Sequence, residues 1–210
     1  MRLNLLKENG PSQNGDKRRI LLVNPPSGFL LDERVFLPLG IASVAASARN
    51  NGHEVSLLDL RSDRDYLRDV QDEIKKNNYE VIGITSTSPQ FYYAYRILKR
   101  IKQHSNAKVI IGGPHASMFS ALRKQLIKTK SSSDIYDEDI NFAKLEEFDA
   151  VADGEESALE IAIRTDDKWV DGGVSENLDE LPIPARDLFD INSYLFDVNG
   201  SPKFRINDKP

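Results

Sequence analysis

The sequence predicts an α/β fold with three layers, in which a parallel sheet of five strands is covered by helices on both faces. From Arg18 onward, short apolar runs alternate with longer amphipathic segments. The runs are almost continuously apolar, as expected for strands that are buried on both faces. Gly, Pro and Ser are concentrated directly after these runs, where turns and loops are expected.

Five apolar runs predict the strands. They lie near residues 19–24, 54–59, 80–85, 108–112 and 149–152. The segments between them have apolar residues at three- and four-residue spacing, which predicts helices. Ser88 and Pro89 form a suitable cap and first-turn pair for the helix after the third strand. Because crossovers between parallel strands are right-handed, the loops after the strands open at one edge of the sheet, where a ligand is expected.

The same pattern divides the chain into three parts. Residues 18–166 are predicted to form the α/β domain, with a surface insertion at about 128–147 that contains a short helix. Residues 1–17 are predicted to be a flexible polar segment, and residues 167–210 an irregular linker segment. No run approaches the roughly 18 apolar residues of a membrane span, and the N-terminus has no signal-peptide core. We therefore expect a cytoplasmic chain without a membrane span.

Composition excludes several functional classes. The chain has 28 basic and 33 acidic residues and a net charge of -5, which disfavours a nucleic-acid partner. It has no cysteine, which excludes a disulfide framework, a thiolate zinc site, a cysteine nucleophile and a cysteine-ligated iron–sulfur cluster within this chain. Its three histidines are scattered, which argues against a bound zinc ion.

The loops after the strands lack the best-known phosphate motifs. Neither G-x-G-x-x-G nor the P-loop pattern occurs, and Asn24 and Thr85 stand where a phosphate-accepting receiver needs acidic residues. Small and hydroxylated residues remain in three loops, at Ser27-Gly28, Thr85 to Ser88 and Gly112-Gly113. They would let a large planar or extended ligand approach the backbone and would donate hydrogen bonds to it. Since such residues also end strands without any ligand, their spacing alone leaves both interpretations open.

Five segments, taken in order, carry a family resemblance. They resemble the N-terminal half of the cobalamin-dependent radical SAM enzymes, and the resemblance extends roughly from Arg18 to Leu195, most of the chain. The segments are Leu22-Val23-Asn24-Pro25-Pro26, Pro38-Leu39-Gly40, Gly112 to Ser117, Asp149 to Glu155 and Leu181 to Leu188. The resemblance implies a Rossmann-like cobalamin (B12)-binding domain of flavodoxin-like strand order 2-1-3-4-5, followed in the family by a radical SAM barrel. It also implies that cobalamin lies across the carboxyl edge of the sheet.

The chain departs from the family pattern at the first loop. The motif Asp-x-His-x-x-Gly, whose His ligates cobalt, is matched by Asn24 to Phe29 and has no His. The resemblance therefore implies base-off, His-off cobalamin and no metal ligand from the protein. The Ser-x-Leu motif is matched by Ser86-Thr87-Ser88, and Gly-Gly by Gly112-Gly113. Gly-Glu-Gly-Glu appears as Asp153-Gly154-Glu155-Glu156.

These matches define a set of expected cofactor-binding residues at the ends of the strands. They are Asn24, Pro25, Ser27, Gly28, Thr85, Ser86, Thr87, Ser88, Gly112, Gly113, Pro114, His115, Gly154 and Glu155. No catalytic residue is expected. His115 lies either near the corrin or at a helix start where it bonds its own backbone. Glu155 and Glu156 complement a helix dipole rather than form an acid–base pair.

The cluster motif Cys-x-x-x-Cys-x-x-Cys would follow the Leu181 to Leu188 segment in the family, whereas this chain has no cysteine. We therefore expect no iron–sulfur cluster in this chain and no catalysis by the chain alone. The expected role is the cobalamin-binding module of a radical SAM enzyme of methyltransferase or cyclase type. Its partner would be a radical SAM domain in the full-length protein or in a separate chain. An apolar contact surface is expected around Leu181, Ile183, Leu188, Phe189, Leu195 and Phe196.

Two other functions remain compatible with the sequence. One is a docking domain of the same fold that has no cofactor, and the other is a small-molecule or nucleotide-sugar binding domain that uses the same cleft.

Overall fold

A computed structural model describes residues 17–128, 140–154, 156–175, 177–197 and 199–203. Six parallel strands form one sheet, in the order β2-β1-β3-β4-β5-β6. The strands are β1 (Arg19–Asn24), β2 (Glu54–Asp59), β3 (Val81–Thr85), β4 (Lys108–Gly112), β5 (Ala150–Asp153) and β6 (Trp169–Asp171). The predicted parallel α/β fold and the order 2-1-3-4-5 are confirmed, with one strand more than predicted. That sixth strand lies in the range 167–210 that the sequence predicts as linker.

Helices cover both faces of this sheet. They are α1 (Leu39–Asn50), α2 (Tyr66–Lys76), α3 (Phe91–His104), α4 (Pro114–Leu126), α5 (Ile140–Leu145), α6 (Glu156–Arg164) and α7 (Asn192–Leu195). Three short 3₁₀ turns span Ser88–Gln90, Leu178–Glu180 and Arg186–Leu188. No helix in the described ranges has the length and apolar character that a membrane crossing requires.

Successive side chains of a strand point to opposite faces, so β1 contributes to two separate cores. Leu21 and Val23 are buried against α2, α3, α4 and α5. Ile20 and Leu22 are buried on the other face, against α1, α6 and the C-terminal segment. Because α1 contributes mainly alanines to that second core, it packs close to α6.

The start of α3 differs from the prediction. Thr87, not Ser88, caps the turn before α3, because the Thr87 side chain and backbone pair with Gln90 in a capping box. Ser88 and Pro89 lie one position inside, in the first turn. The Gln90 side chain accepts a hydrogen bond from the Thr87 N–H, so the capping residue is one position before the predicted Ser88.

The predicted insertion and N-terminal segment are described only in part. Residues 1–16 and 129–139 lie outside the described residues. Within the insertion, α5 buries Phe142 and Leu145 in the core formed with α3 and α4.

The C-terminal segment packs on the domain rather than standing apart from it. Val170, Ala185, Phe189 and Tyr194 are all buried in the core that contains α1. The Ala185 backbone N–H donates to the carbonyl of Ala42 at 3.0 Å, which fixes the segment along α1.

Candidate functional site

A cavity of about 380 Å³ opens at the carboxyl edge of the sheet, between the sheet, α1 and α6. It lies where the strand order reverses, since β1 stands between β2 and β3, and ligands bind at such points in open α/β sheets. The cavity is lined by Leu22, Gly40, Ile41, Ser43, Val44, Gly83, Ile84, Thr85, Ile110, Gly112, Gly113, Pro114, Ala152, Gly154, Ala158, Leu159 and Leu181. Small and apolar side chains dominate this set, which suits a flat apolar group.

Five of the predicted site residues line this cavity: Thr85, Gly112, Gly113, Pro114 and Gly154. Gly113 has φ +87°, a conformation that residues with a β-carbon rarely adopt. A β-carbon at Gly113 would also lie only 2.6 Å from Thr85 Oγ1. The cavity mouth at the end of β4 therefore depends on a glycine.

Backbone hydrogen bonds hold the ends of β3 and β4 together beside the cavity. The Ser86 N–H donates to the Gly112 carbonyl at 3.0 Å, and the His115 N–H donates to the Ser86 carbonyl at 2.9 Å. Ser86 is fully buried by this arrangement.

The predicted residues after β1 lie at the same edge but do not line the cavity. Asn24 Nδ2 donates to Asp59 Oδ1 at 2.8 Å. Gln90 Nε2 donates to the Pro25 carbonyl at 3.0 Å and to Ser27 Oγ at 2.9 Å. Gln90 thus ties the loop after β1 to the loop after β3. Nothing in the sequence pattern pointed to Gln90.

The hydroxyl groups after β3 are occupied within the protein. Ser86 Oγ donates to the Thr87 carbonyl at 2.8 Å, and Thr87 Oγ1 donates to Gln90 Oε1 at 2.9 Å. The predicted donors Ser86 and Thr87 therefore stabilise their own loop, and neither lines the cavity.

Gly28 is packed rather than open. A β-carbon there would lie 2.5 Å from Tyr93 Oη and 3.1 Å from the Ser62 side chain. The small residue at this position is explained by contacts within the protein.

His115 faces away from the cavity. Its ring is 3% exposed, stacks on Phe91 at 4.0 Å and lies 4.7 Å from the ring of Phe119. Its Nδ1 lies 3.1 Å from Ser88 Oγ. His115 and Ser88 belong instead to a second cavity, of about 310 Å³, on the opposite face of the sheet.

The other two histidines lie away from the carboxyl edge. His53, just before β2, accepts a hydrogen bond from the Arg18 N–H at Nδ1, and its Nε2 lies 2.9 Å from Glu160 Oε2. His104 is the exposed last residue of α3. Within the described ranges, no group of three or more metal-ligating side chains lies close enough together to hold a metal ion. Glu155 lies outside the described residues.

One cation lies between two carboxylates at the ends of β5 and β6. Lys124 Nζ is 2.8 Å from Asp171 Oδ2 and 3.0 Å from Asp153 Oδ2. The hydrogen bond to Asp171, followed by the one to Asp153, raises the pKa of Lys124. The same contact with Lys124 lowers the pKa of Asp171. Lys124 thus neutralises part of the carboxylate charge beside Gly154, and none of these three side chains lines the cavity.

Sequence reasoning did not assign several residues of the cavity wall. Gly83 was detectable, because a glycine inside an otherwise apolar strand often marks a close approach of a ligand or backbone. Gly40 was noted only as part of Pro38-Leu39-Gly40. Ala158 and Leu181 reach the cavity through tertiary packing, and their local sequence carries no signal.

The surface predicted around the C-terminal segment is only partly exposed. Ile183 is 84% exposed, and Leu195 and Phe196 are also exposed, whereas Phe189 is 6% exposed and belongs to the core. Leu181 lines the cavity.

Comparison with known proteins matches part of the α/β domain to a family. Residues 33–129 match the model of the B12 binding domain. The uncharacterized methyltransferase PH0819 of Pyrococcus horikoshii is 29% identical over 188 residues, which cover 85% of this chain and 40% of that protein. The chain thus spans about two fifths of the length of this relative.

Two solved structures were also found to be similar. The cobalamin-dependent S-adenosylmethionine radical enzyme OxsB, solved with aqua-cobalamin and S-adenosylmethionine, is 15% identical with a TM-score of 0.58, covering 85% of this chain and 25% of OxsB. The radical S-adenosylmethionine methyltransferase TsrM of Kitasatospora setae is 21% identical with a TM-score of 0.44, covering 52% of this chain and 22% of TsrM. In both proteins the similar region is part of a longer chain. The resemblance inferred from the sequence is therefore confirmed: residues 33–129 match the B12-binding domain family, and the chain has the fold found in a cobalamin-dependent radical SAM enzyme.

Proposed function

We propose that this chain binds cobalamin at the carboxyl edge of its sheet, as the cobalamin-binding module of a radical SAM enzyme of methyltransferase or cyclase type. The observation that carries the proposal is the 380 Å³ cavity of small and apolar residues at the point where the strand order reverses. The family match over residues 33–129 supports the choice of ligand. The name of the Pyrococcus horikoshii relative supports the methyltransferase type.

The dimensions of the cavity suit one part of cobalamin. Its volume lies at the lower end of the range of roughly 300–1,000 Å³ for small-molecule sites, which suits the nucleotide tail better than a corrin ring with its side chains. The dimethylbenzimidazole of the nucleotide tail is flat and apolar and matches the lining. We therefore assign the tail to the cavity and the corrin to its mouth.

Two glycines leave room for such a tail. A β-carbon at Gly40 would have no heavy atom within 4 Å, and one at Gly112 would meet only the Ala152 carbonyl oxygen, at 3.7 Å. Both residues line the cavity, so their lack of side chains creates space there.

The loop after β1 offers an apolar surface at the same edge. Phe29 is 54% exposed and Phe36 is 81% exposed, and both lie between β1 and α1. Large exposed apolar side chains grouped in one loop are typical of a binding surface. We assign this surface to the corrin side of the site and to the adjoining radical SAM domain, in the full-length protein or in a separate chain.

The positions of the three histidines support the proposed base-off, His-off state. His53 lies just before β2, His104 is the last residue of α3, and the ring of His115 is enclosed by Phe91 and Phe119. If the tail lies in the cavity, none of the three histidines would be in position to bind the cobalt at the cavity mouth. Cobalamin bound in this way supplies a cobalt centre that carries a methyl group or accepts electrons. The chain's own residues hold the tail and exclude water from it.

The proposal is tested by loading and spectroscopy. The chain is incubated with hydroxocobalamin, desalted, and examined by absorption, and we expect corrin bands to remain with the protein. After reduction to the cob(II)alamin state, electron paramagnetic resonance should show no hyperfine splitting from an axial nitrogen. Loss of all corrin absorption on desalting would contradict cobalamin binding. Retained corrin with an axial nitrogen splitting would contradict the His-off state alone.

A further inference from the structure

A largely buried polar cluster joins three separate parts of the chain at the carboxyl edge of the sheet. Asp59, the last residue of β2, accepts hydrogen bonds from Asn24 Nδ2 at 2.8 Å and from Tyr194 Oη at 2.6 Å. Arg34 Nη2 lies 3.3 Å from Asp59 Oδ2, and the two side chains are only 12% and 11% exposed. This is a partly desolvated ion pair with further hydrogen bonds, and not a surface contact.

Arg34 connects the loop after β1 to the C-terminal segment. Its guanidinium donates to the Asp59 carbonyl oxygen at 3.0 Å and to Ser193 Oγ, and it lies 5.3 Å from the centre of the Tyr194 ring. The planar fork of an arginine is suited to such simultaneous contacts, whereas a lysine is not. One side chain in the loop therefore contacts both β2 and α7.

A second link ties the same loop to the end of the described chain. Lys203 Nζ lies 2.7 Å from Asp32 Oδ2 and 3.3 Å from the Arg34 carbonyl oxygen. The hydrogen bond from Lys203, together with one from the Arg34 N–H, lowers the pKa of Asp32. Residues 191–203 thus hold the loop at two neighbouring positions.

Tyr194 is buried in this cluster and donates a hydrogen bond to Asp59. It is 5% exposed, and its ring lies edge-on to that of Phe189 at 6.2 Å. Burial, followed by the hydrogen bond to Asp59, raises the pKa of the Tyr194 hydroxyl. Tyr194 therefore stays protonated at neutral pH and keeps Asp59 hydrogen-bonded.

The other side of the loop is held by Glu33. Its carboxylate accepts from the Ser27 N–H at 2.7 Å and from the Ser62 N–H at 2.9 Å. In the same loop, Leu31 and Phe36 remain exposed to solvent. The polar side chains of the loop thus hold its backbone in place, while two of its apolar side chains stay exposed to solvent.

We propose that Arg34, Asp59 and Tyr194 form a latch, through which residues 191–197 and 199–203 position the loop of residues 25–38 at the carboxyl edge of the sheet. The three are positioning residues, since none of them lines the cavity. The latch itself depends only on the contacts above. Its effect on cobalamin rests on the proposed function.

The experiment compares two variants with a matched control. Tyr194→Phe removes the hydroxyl that binds Asp59, and Arg34→Lys keeps the charge but loses the fork. Tyr79→Phe serves as control, because Tyr79 is also buried and also donates to a carboxylate, Glu73 Oε1 at 2.5 Å, but at the opposite edge of the sheet. Hydrogen exchange is followed for residues 25–38, where the Leu30 and Arg34 amides donate within the loop.

We expect exchange in residues 25–38 to accelerate by about tenfold in both latch variants and to stay unchanged in Tyr79→Phe. We expect their affinity for hydroxocobalamin to fall by a similar factor, while far-UV circular dichroism is unchanged in all three proteins. Unchanged exchange in both variants would overturn the latch, whatever the affinity. Faster exchange with unchanged affinity would overturn the positioning role. If the wild-type chain bound no cobalamin, the proposed function would fail, and the exchange rates alone would decide on the latch.

Discussion

Thr85 and Gly113 are in such close contact that position 113, directly after β4, has no room for a β-carbon. The Thr85 hydroxyl oxygen lies 2.6 Å from the position that a β-carbon of Gly113 would occupy, and the φ of Gly113 is +87°. The neighbouring Gly112 has ordinary space around it, with one atom at 3.7 Å. The two glycines of the pair therefore have different physical roles. Gly113 is required by the fold, and Gly112 leaves space in the cavity.

These roles predict effects of very different size for the same substitution. Gly113→Ala should lower the free energy of unfolding by about 2 kcal/mol or more, because it combines an unfavourable φ with a steric overlap. Gly112→Ala should change it by less than about 1 kcal/mol. Urea unfolding of both variants measures the difference. Equal stabilities would show that Thr85 and the loop yield without cost.

The C-terminal segment is predicted to be part of the folded domain. Phe189→Ala removes a side chain that is 6% exposed and should cost about 3–5 kcal/mol. Ile183→Ala, at a position that is 84% exposed in the same segment, should change stability by less than about 0.5 kcal/mol. If both variants unfolded at the wild-type urea concentration, residues 167–210 would not contribute to the core.

The raised pKa of Tyr79 predicts that the protein loses stability at alkaline pH. Burial, followed by the hydrogen bond to Glu73, raises the pKa of Tyr79 from 10.0 to about 12. A group whose pKa is raised by folding stabilises the protein fully below its unfolded pKa, so this contribution is present below pH 10 and is lost as the pH rises toward 12. The free energy of unfolding of the wild type should therefore fall across this range, by at most about 1.4 kcal/mol per pH unit from this group. Tyr79→Phe should fall less steeply, and identical slopes would contradict the assignment.

Four of the five predicted strands, β1, β3, β4 and β5, could be located from the sequence because each is a compact, mostly buried apolar run. The edge strand β2 is only half-buried apart from Val55, and its apolar residues Val55, Leu57 and Leu58 were enough to predict it. β6 could not be predicted, since Trp169–Asp171 is three residues long, has one buried aliphatic side chain in Val170, and follows three charged residues. Its pairing with β5 is decided by tertiary contacts.

Site residues could be predicted from the sequence where the position of the backbone decides whether they line the cavity. They could not be predicted where the direction of the side chain decides it. Gly112 and Gly113 were found as small residues at a strand end, and they line the cavity. Ser86, Thr87 and His115 belong to the same loops, but their side chains turn into the protein and away from the cavity. Such directions depend on neighbours distant in sequence, including Gln90 and Phe91, so composition alone could not supply them.

The most direct test of the central claim compares cobalamin with cobinamide, the corrinoid that lacks the nucleotide tail. If the tail occupies the cavity, the wild-type chain should bind hydroxocobalamin more than about tenfold tighter than cobinamide, a difference of about 1.4 kcal/mol. Gly112→Val adds a branched side chain at the cavity wall, where a β-carbon would meet only the Ala152 carbonyl oxygen, at 3.7 Å. This variant should lose most of the advantage of cobalamin while binding cobinamide as the wild type does. Equal wild-type affinities for the two corrinoids, or an unchanged preference in Gly112→Val, would contradict the placement of the tail in this cavity.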